Sequence, residues 1–353
     1  MHPHPTPNPF ILNYLIKTFK FSRTRAQSIS NRFSFIKALE KPQSVVQFLK
    51  SLGFLDTHIV SSVHVSPQIL FADVDRTLKP KLHFFQELGL VGTDLGKFIS
   101  KNSTLLTVSL DRKLIPCVEI LKKILLNDDN NENLIRVMRR CNWVISKDPK
   151  SRLLCNISLL ESCGIVGSQL SMLLKRQPRL FIVRESELRD LLSRVVAMGF
   201  LMDSRMLVHA IYSLSCISDK TLRRKFELFQ NSGFSEVECR EMFRKAPGLL
   251  RTSDRKLSLG IEFFMNTVKL NKVVLVRRPS CLMHSMEDRV IPRYRVLHVL
   301  MSQRLLKKKP SFINVLNFPE EEFLEKFVLR FEDDAEELLE AYKGDILDSS
   351  SME

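Results

Sequence analysis

Helix-like apolar stretches in this 353-residue chain end at hinge residues spaced 33 to 38 residues apart: Lys20, Gly53, Gly89, Asn127, Gly164, Gly199, Gly233, Lys269 and Arg304. A period of that length constrains the fold more than any other feature. It describes a small unit that cannot bury its own apolar face and is therefore stacked on copies of itself. Five hinges are glycine, each followed by a large apolar residue, Phe54, Leu90, Ile165, Phe200 or Phe234. That pair suits a helix closed by a left-handed cap, with the apolar side chain folded back on the last turn. Asparagine is the next most tolerant residue in such a cap, so Asn127 fits the series. The cap is weaker at Lys20, Lys269 and Arg304. Candidate N-caps for the following helix are Thr93, Ser168, Asp203 and Ser235, the last with Glu238 in capping-box spacing. Each unit therefore reads helix, tight turn, helix.

A second mark falls 10 to 14 residues after most hinges, as Pro67-Gln68-Ile69-Leu70, Pro178-Arg179-Leu180-Phe181, Pro247-Gly248-Leu249-Leu250 and Pro279-Ser280-Cys281-Leu282. Proline closes the second helix, and the apolar pair is placed to plug the gap between neighbouring units. Ser103-Thr104-Leu105-Leu106 and Asn142-Trp143-Val144-Ile145 keep the pair without the proline, and Ser213 with Ser215 and Cys216 keeps little of it. A third mark, Leu78-Lys79-Pro80, recurs as Leu114-Ile115-Pro116 and Val290-Ile291-Pro292. Here proline suits the first turn of the next helix. Apolar residues at i, i+3, i+4 and i+7, as in Val45, Phe48, Leu49 and Leu52, complete an all-α reading.

These marks, in this order, closely resemble the mitochondrial transcription termination factor (mTERF) family, particularly its land-plant branch. The resemblance runs from about Tyr14 to about Tyr342. It is carried by Phe48 to Phe54, Leu78 to Leu82, Leu114-Ile115-Pro116, Val208-His209-Ala210, Ile291-Pro292-Arg293 and Phe323 to Val328. It implies an all-α helical-repeat solenoid, a curved superhelix of about eight repeats. Each repeat would be two α-helices and a short 3₁₀ turn, and the body would carry a basic groove for nucleic acid. On that basis residues 14–318 are expected to form the solenoid, with a targeting remnant over 1–13, an amphipathic capping helix over 319–342 and a disordered tail over 343–353.

The net charge of +15 is unevenly spread: from Pro319 on, 13 acidic residues face Lys326, Arg330 and Lys343, leaving +25 on the first 318 residues. Cations cluster at the repeat marks, as Arg139-Arg140, Lys175-Arg176 with Arg179, Arg244-Lys245 with Arg251, and Arg277-Arg278. Equivalent positions of a solenoid share one edge, so these residues are expected to form a ladder for a phosphate backbone, extended by Arg293, Arg295 and Lys307-Lys308-Lys309. For any single arginine, a structural role beside the helix C-terminus competes with phosphate contact.

Nothing in the chain suggests catalysis, a cofactor or a metal site. The seven cysteines, Cys117, Cys141, Cys155, Cys163, Cys216, Cys239 and Cys281, contain no C-x-x-C and fall mostly in apolar surroundings, as buried thiols do. His209 and His284 have no partner at i+3 or i+4, His2 and His4 sit in a proline-rich start, and Trp143 stands at a plug position. Gly89, Gly92 and Gly96 are the nearest approach to a phosphate loop, without the lysine and serine it needs. Before Glu40 there is no acidic residue, while Lys17, Lys20, Arg23, Arg25, Arg32 and Lys37 alternate with serine and apolar residues, as in organelle-targeting segments. No run approaches 18 apolar residues, so a membrane span is excluded and no membrane partner is expected.

The sequence therefore predicts a monomeric, non-enzymatic organellar protein, mitochondrial or alternatively chloroplastic, that regulates transcription by binding double-stranded DNA. The alternatives are an RNA-binding factor for splicing or transcript maturation, and a protein-interaction scaffold.

Overall fold

The computed structural model describes residues 8–36, 38–146, 152–202 and 204–344, and among them every regular element is helical. The candidate cap Asp203, together with Lys37, His2, His4 and the tail from Asp345, lies outside the described residues. The chain divides into two compact units, Met1–Leu188 and Arg189–Glu353. In the first, paired helices follow one another as Pro9–Phe19 with Arg23–Arg32, Glu40–Ser51 with Asp56–Val65, Lys79–Glu87 with Gly92–Asn102, Ile115–Ile124 with Glu132–Arg140, and Leu154–Ser162 with Gly167–Arg176. In the second, Leu207–Ser215 is followed by the pairs Asp219–Asn231 with Glu236–Lys245 and Asp254–Glu262 with Lys272–Arg277, then by Ile291–Ser302 and Phe312–Val315.

All nine hinges have left-handed backbone, the five glycines at φ 79 to 99° and Lys20, Asn127, Lys269 and Arg304 at 55 to 60°. The repeat geometry therefore prevails even where a side chain opposes it by about 1–2 kcal/mol. At Gly53 the turn is a Schellman motif: the Phe54 N–H donates to the Leu49 carbonyl (3.2 Å) and the Gly53 N–H to the Lys50 carbonyl (2.9 Å). The first of these bonds recurs from Leu90 to Phe85, Ile165 to Leu160, Phe200 to Val195, Phe234 to Phe229 and Leu305 to Leu300, while at the Lys20 and Lys269 hinges Phe21 and Leu270 reach one residue further back, to Leu15 and Phe264. The apolar residue after each glycine is buried, as expected.

The proline marks open 3₁₀ helices at Pro67–Phe71, Pro178–Phe181, Pro247–Arg251 and Pro279–Met283, and Ser103–Thr107 forms one without proline. Their apolar pairs are buried, as are Val144 and Ile145, so the plug role holds at each. Six residues after the start of four of these turns comes an N-cap that has no counterpart among the caps expected from sequence. Asp73, Ser109, Ser253 and Ser285 accept from the backbone N–H of Arg76, Arg112, Lys256 and Asp288. Among the second-helix caps, the box of Ser235 and Glu238 forms in full. Thr93 and Ser168 do not cap. The N-caps are the exposed Val91 and Val166: the helices start at Gly92 and Gly167, which have positive φ, two residues earlier than caps at Thr93 and Ser168 would give.

Pro80, Pro116 and Pro292 lie in the first α-helical turn, but each helix begins a turn earlier with a wide π turn. There Leu78, Leu114 and Val290 donate five residues back, to Asp73, Ser109 and Ser285. The widened turn accommodates the proline ring and its missing donor. Buried polar side chains tie three of the first helices to the region of a 3₁₀ turn. Lys81, Asn156 and Lys225, each eight residues before a hinge, donate to the carbonyls of Leu106 (2.6 Å), of Leu180 (3.1 Å) and Val183, and of Thr252 respectively. These bonds satisfy carbonyls that would otherwise be orphaned at the end of the turn.

The segment expected as one helix over 319–342 is two. Glu320–Leu324 runs into a π turn, Glu325–Leu329, and the chain reverses at Phe331 before Ala335–Lys343. Glu332, Asp333 and Asp334 precede the last helix, where negative charge favours a helix start. The first helix likewise begins at Pro9, inside the span expected as a targeting remnant.

Gly53 carries the sharpest test of the hinge. A Cβ built there meets the Gly92 Cα at 2.9 Å, and its φ is +86°. Gly53→Val is expected to destabilise the first unit by about 2 kcal/mol, from left-handed strain and this backbone clash, as read by chemical denaturation. A neutral result would contradict the tight turn-to-turn packing.

Candidate nucleic-acid interface

The last carbonyls of a helix lack intrahelical donors and carry the negative end of its dipole, so cations there are doubly placed. Arg139 and Arg140 end the helix Glu132–Arg140, Lys175 and Arg176 end Gly167–Arg176, Arg244 and Lys245 end Glu236–Lys245, and Arg277 ends Lys272–Arg277. Two of these cations bridge to the next terminus. Arg140 Nη1 donates to the Lys175 (2.9 Å) and Arg176 (3.3 Å) carbonyls. Lys245 Nζ donates to the Val276 carbonyl (3.3 Å) and pairs with Glu241 at 2.5 Å. Within each unit, neighbouring second-helix ends therefore share an edge, Arg140 beside Arg176 and Lys245 beside Arg277.

The twelve candidates divide by what they touch. Arg139, Arg179, Arg277 and Arg278 are exposed and have no hydrogen-bond or ion-pair partner among the described residues, whereas Arg176 is exposed but engaged. Lys175 is half-buried. The half-buried Arg244 packs against the Gly199 hinge, its Nη1 2.7 Å from where a Cβ would stand. Arg251 is exposed but held, with Nε on Ser213 Oγ (3.3 Å) and its guanidinium 4.3 Å from the Tyr212 ring centroid. Half-buried Arg295 lies against Gly344, and Lys307, Lys308 and Lys309 are exposed.

Arg293 must be removed from the candidate interface. Its side chain is 0% exposed and donates to the Val315 (2.9 Å) and Phe318 (2.8 Å) carbonyls and to Glu320 (2.9 Å), with its guanidinium 4.5 Å from the Phe323 ring centroid. Arg289 reaches the Leu316 and Phe318 carbonyls beside it. Both arginines hold the closing helices on the body. Arg25, which donates to the His64 carbonyl at 2.7 Å, and Lys256, on the Met283 carbonyl at 2.8 Å, are likewise committed to carbonyls.

The other polar groups are quiet. Cys117, Cys163, Cys239 and Cys281 are buried, and burial pushes the Cys239 thiol up to about 11 and Cys281 to about 12. Contrary to the general reading, Cys155 and Cys216 are exposed and Cys141 is half-buried. His284 is held below the usual imidazole value by burial and then by Arg289, Arg293 and Lys256, which keeps it neutral. Trp143 lies on a short helix, with its side chain outside the described set.

An array of hinged helix pairs with cations along the second-helix ends defines a helical-repeat protein with a basic edge. The sequence model of the mTERF family matches residues 10–199 and 206–324, and the chain belongs to that family. It is similar to the transcription termination factor MTERF8, chloroplastic, of Arabidopsis thaliana, at 22% identity over 278 residues, 78% of this chain and 54% of the relative. The chain thus spans about half the length of that relative.

Two outcomes follow from the Arg293 anchor. Arg293→Ala is expected to cost about 3 kcal/mol or more in denaturation, because it leaves buried carbonyls unpaired; unchanged stability would return Arg293 to the interface. Burial pushes the Glu320 carboxyl up, but bonds from Tyr342 and Arg293 outweigh it and hold the group below the usual glutamate value. A depressed acid contributes stability above its unfolded value and loses it as pH falls through the folded one. Acid titration of stability should therefore show a step below the ordinary glutamate range that Glu320→Gln removes. A titration curve unchanged by that variant would contradict the assignment.

Proposed function

We propose that this chain is a non-enzymatic organellar nucleic-acid-binding protein that regulates transcription by gripping double-stranded DNA across its phosphates. One observation carries the reading: exposed arginines with no partner among the described residues stand at second-helix ends or just beyond them, and within each unit one such end is bridged to the next by Arg140 or Lys245. Guanidinium groups bind phosphate oxygens in pairs, and the counterions they displace supply most of the affinity. Cations already committed to carbonyls fix the edge that presents the free ones. Family membership and the chloroplastic relative support an organellar setting and a transcriptional role. Mitochondrion is our first assignment, and chloroplast is the alternative that the relative favours.

The test is binding of duplex DNA and structured RNA by fluorescence anisotropy across a salt series. The combined variant Arg179→Glu, Arg277→Glu and Arg278→Glu is expected to weaken binding to every sequence. It should also flatten the slope of log affinity against log salt by about 0.9 for each phosphate no longer neutralised. Unchanged affinity and slope would mean that the edge faces away from the ligand. Preference for structured RNA would move the reading to splicing or transcript maturation, and flat, weak binding to both would leave a protein scaffold.

A further inference from the structure

The acid-free start of the chain is not absorbed by the nucleic-acid reading. It folds as the first helical pair, Pro9–Phe19 and Arg23–Arg32. Ile11, Leu15 and Phe19 face inward, while Phe10, Asn13, Lys17 and Lys20 are exposed at the spacing of one helical stripe. On the second helix Arg23, Thr24, Gln27, Ser28 and Arg32 are exposed. Asn8 Nδ2 donates to the Ile36 carbonyl (2.8 Å) and Ser30 Oγ to the Asn8 carbonyl (3.1 Å), tying the start of the first helix to the end of the second. That tie brings Phe10 and Phe35, 65% and 72% exposed, to the same end of the pair.

We propose that this first helical pair is a membrane-surface docking site for bilayers rich in anionic phospholipid. Phe10 and Phe35 enter the boundary between headgroups and acyl chains, and Lys17, Lys20, Arg23 and Arg32 meet headgroup phosphates. Charge complementarity selects the partner: residues 8–36 carry five cations and no acid. The two phenylalanines favour a bilayer over a duplex, whose bases are already stacked and paired and offer an exposed phenyl ring little to enter, whereas the headgroup boundary takes it up. Combined apolar and cationic anchoring is the chemistry of peripheral helices on anionic leaflets. Arg25 takes no part, being held on the His64 carbonyl. The sequence expectation of no membrane partner rested on the lack of a span, and among the described residues no helix is long and apolar enough to cross a membrane. A surface site needs no span.

The full chain should co-sediment with vesicles of phosphatidylcholine plus phosphatidylglycerol and not with phosphatidylcholine alone. Phe10→Ser with Phe35→Ser should lower that partitioning by at least about tenfold and leave duplex affinity unchanged, while Phe10→Leu with Phe35→Leu should retain most of it. Circular dichroism checks that each variant folds. No sedimentation, or equal sedimentation without the anionic lipid, would overturn the proposal. So would vesicle binding that survives the serine variant but fails in Arg179→Glu, Arg277→Glu, Arg278→Glu, which would assign it to the basic edge. Weaker duplex binding by the serine variant would make the pair a nucleic-acid contact instead.

Discussion

The left-handed turn between the two helices of each pair is the constraint on which the rest of the molecule depends. At the five glycine hinges and at Arg304, the bond from the residue after the hinge to a carbonyl five residues back reverses the chain within two residues. The second helix must then run back along the first, and its C-terminus returns to the edge where the 3₁₀ turn closes the pair. Because the turn recurs with its period, second-helix ends recur too, and Arg140 and Lys245 each span the gap from one such end to the next. The basic edge is thus a consequence of the hinge: where a helix ends, carbonyls gather, and cations follow them.

That origin explains why surplus positive charge overstates the nucleic-acid surface. Lys81, Lys225, Arg289 and Arg293 spend their donors on backbone carbonyls that the tight turns leave unsatisfied. An orphaned buried carbonyl costs about 1–3 kcal/mol, so these bonds are structural necessities. Arg139, Arg179, Arg277 and Arg278 are different, being exposed and uncommitted within the described chain. The division between the two groups follows depth within the pair.

The hinge period was legible because backbone geometry is written locally. Even Lys20, Lys269 and Arg304, poor residues for positive φ, were placed by the interval alone, and the structure agrees. The plug pairs were legible for the same reason. The caps were less so: Thr93 and Ser168 looked suitable, but glycine one residue earlier let the helix begin first. The π turns before Pro80, Pro116 and Pro292 had no sequence signal beyond that proline, and the one at Glu325–Leu329 had none. Arg293 was misplaced because its burial depends on the closing helices, which come from far along the chain and break at Phe331 where an unbroken amphipathic stripe was expected.

The central claim is that nucleic acid lies along the second-helix ends rather than along the hinges. Amide hydrogen exchange on the full chain with and without duplex DNA tests it most directly. The account predicts slowed exchange in peptides covering 139–145, 175–182 and 277–283, with the hinge turns around Gly53, Gly89 and Gly233 unchanged. Protection confined to those hinge turns would place the ligand on the opposite edge and contradict the account.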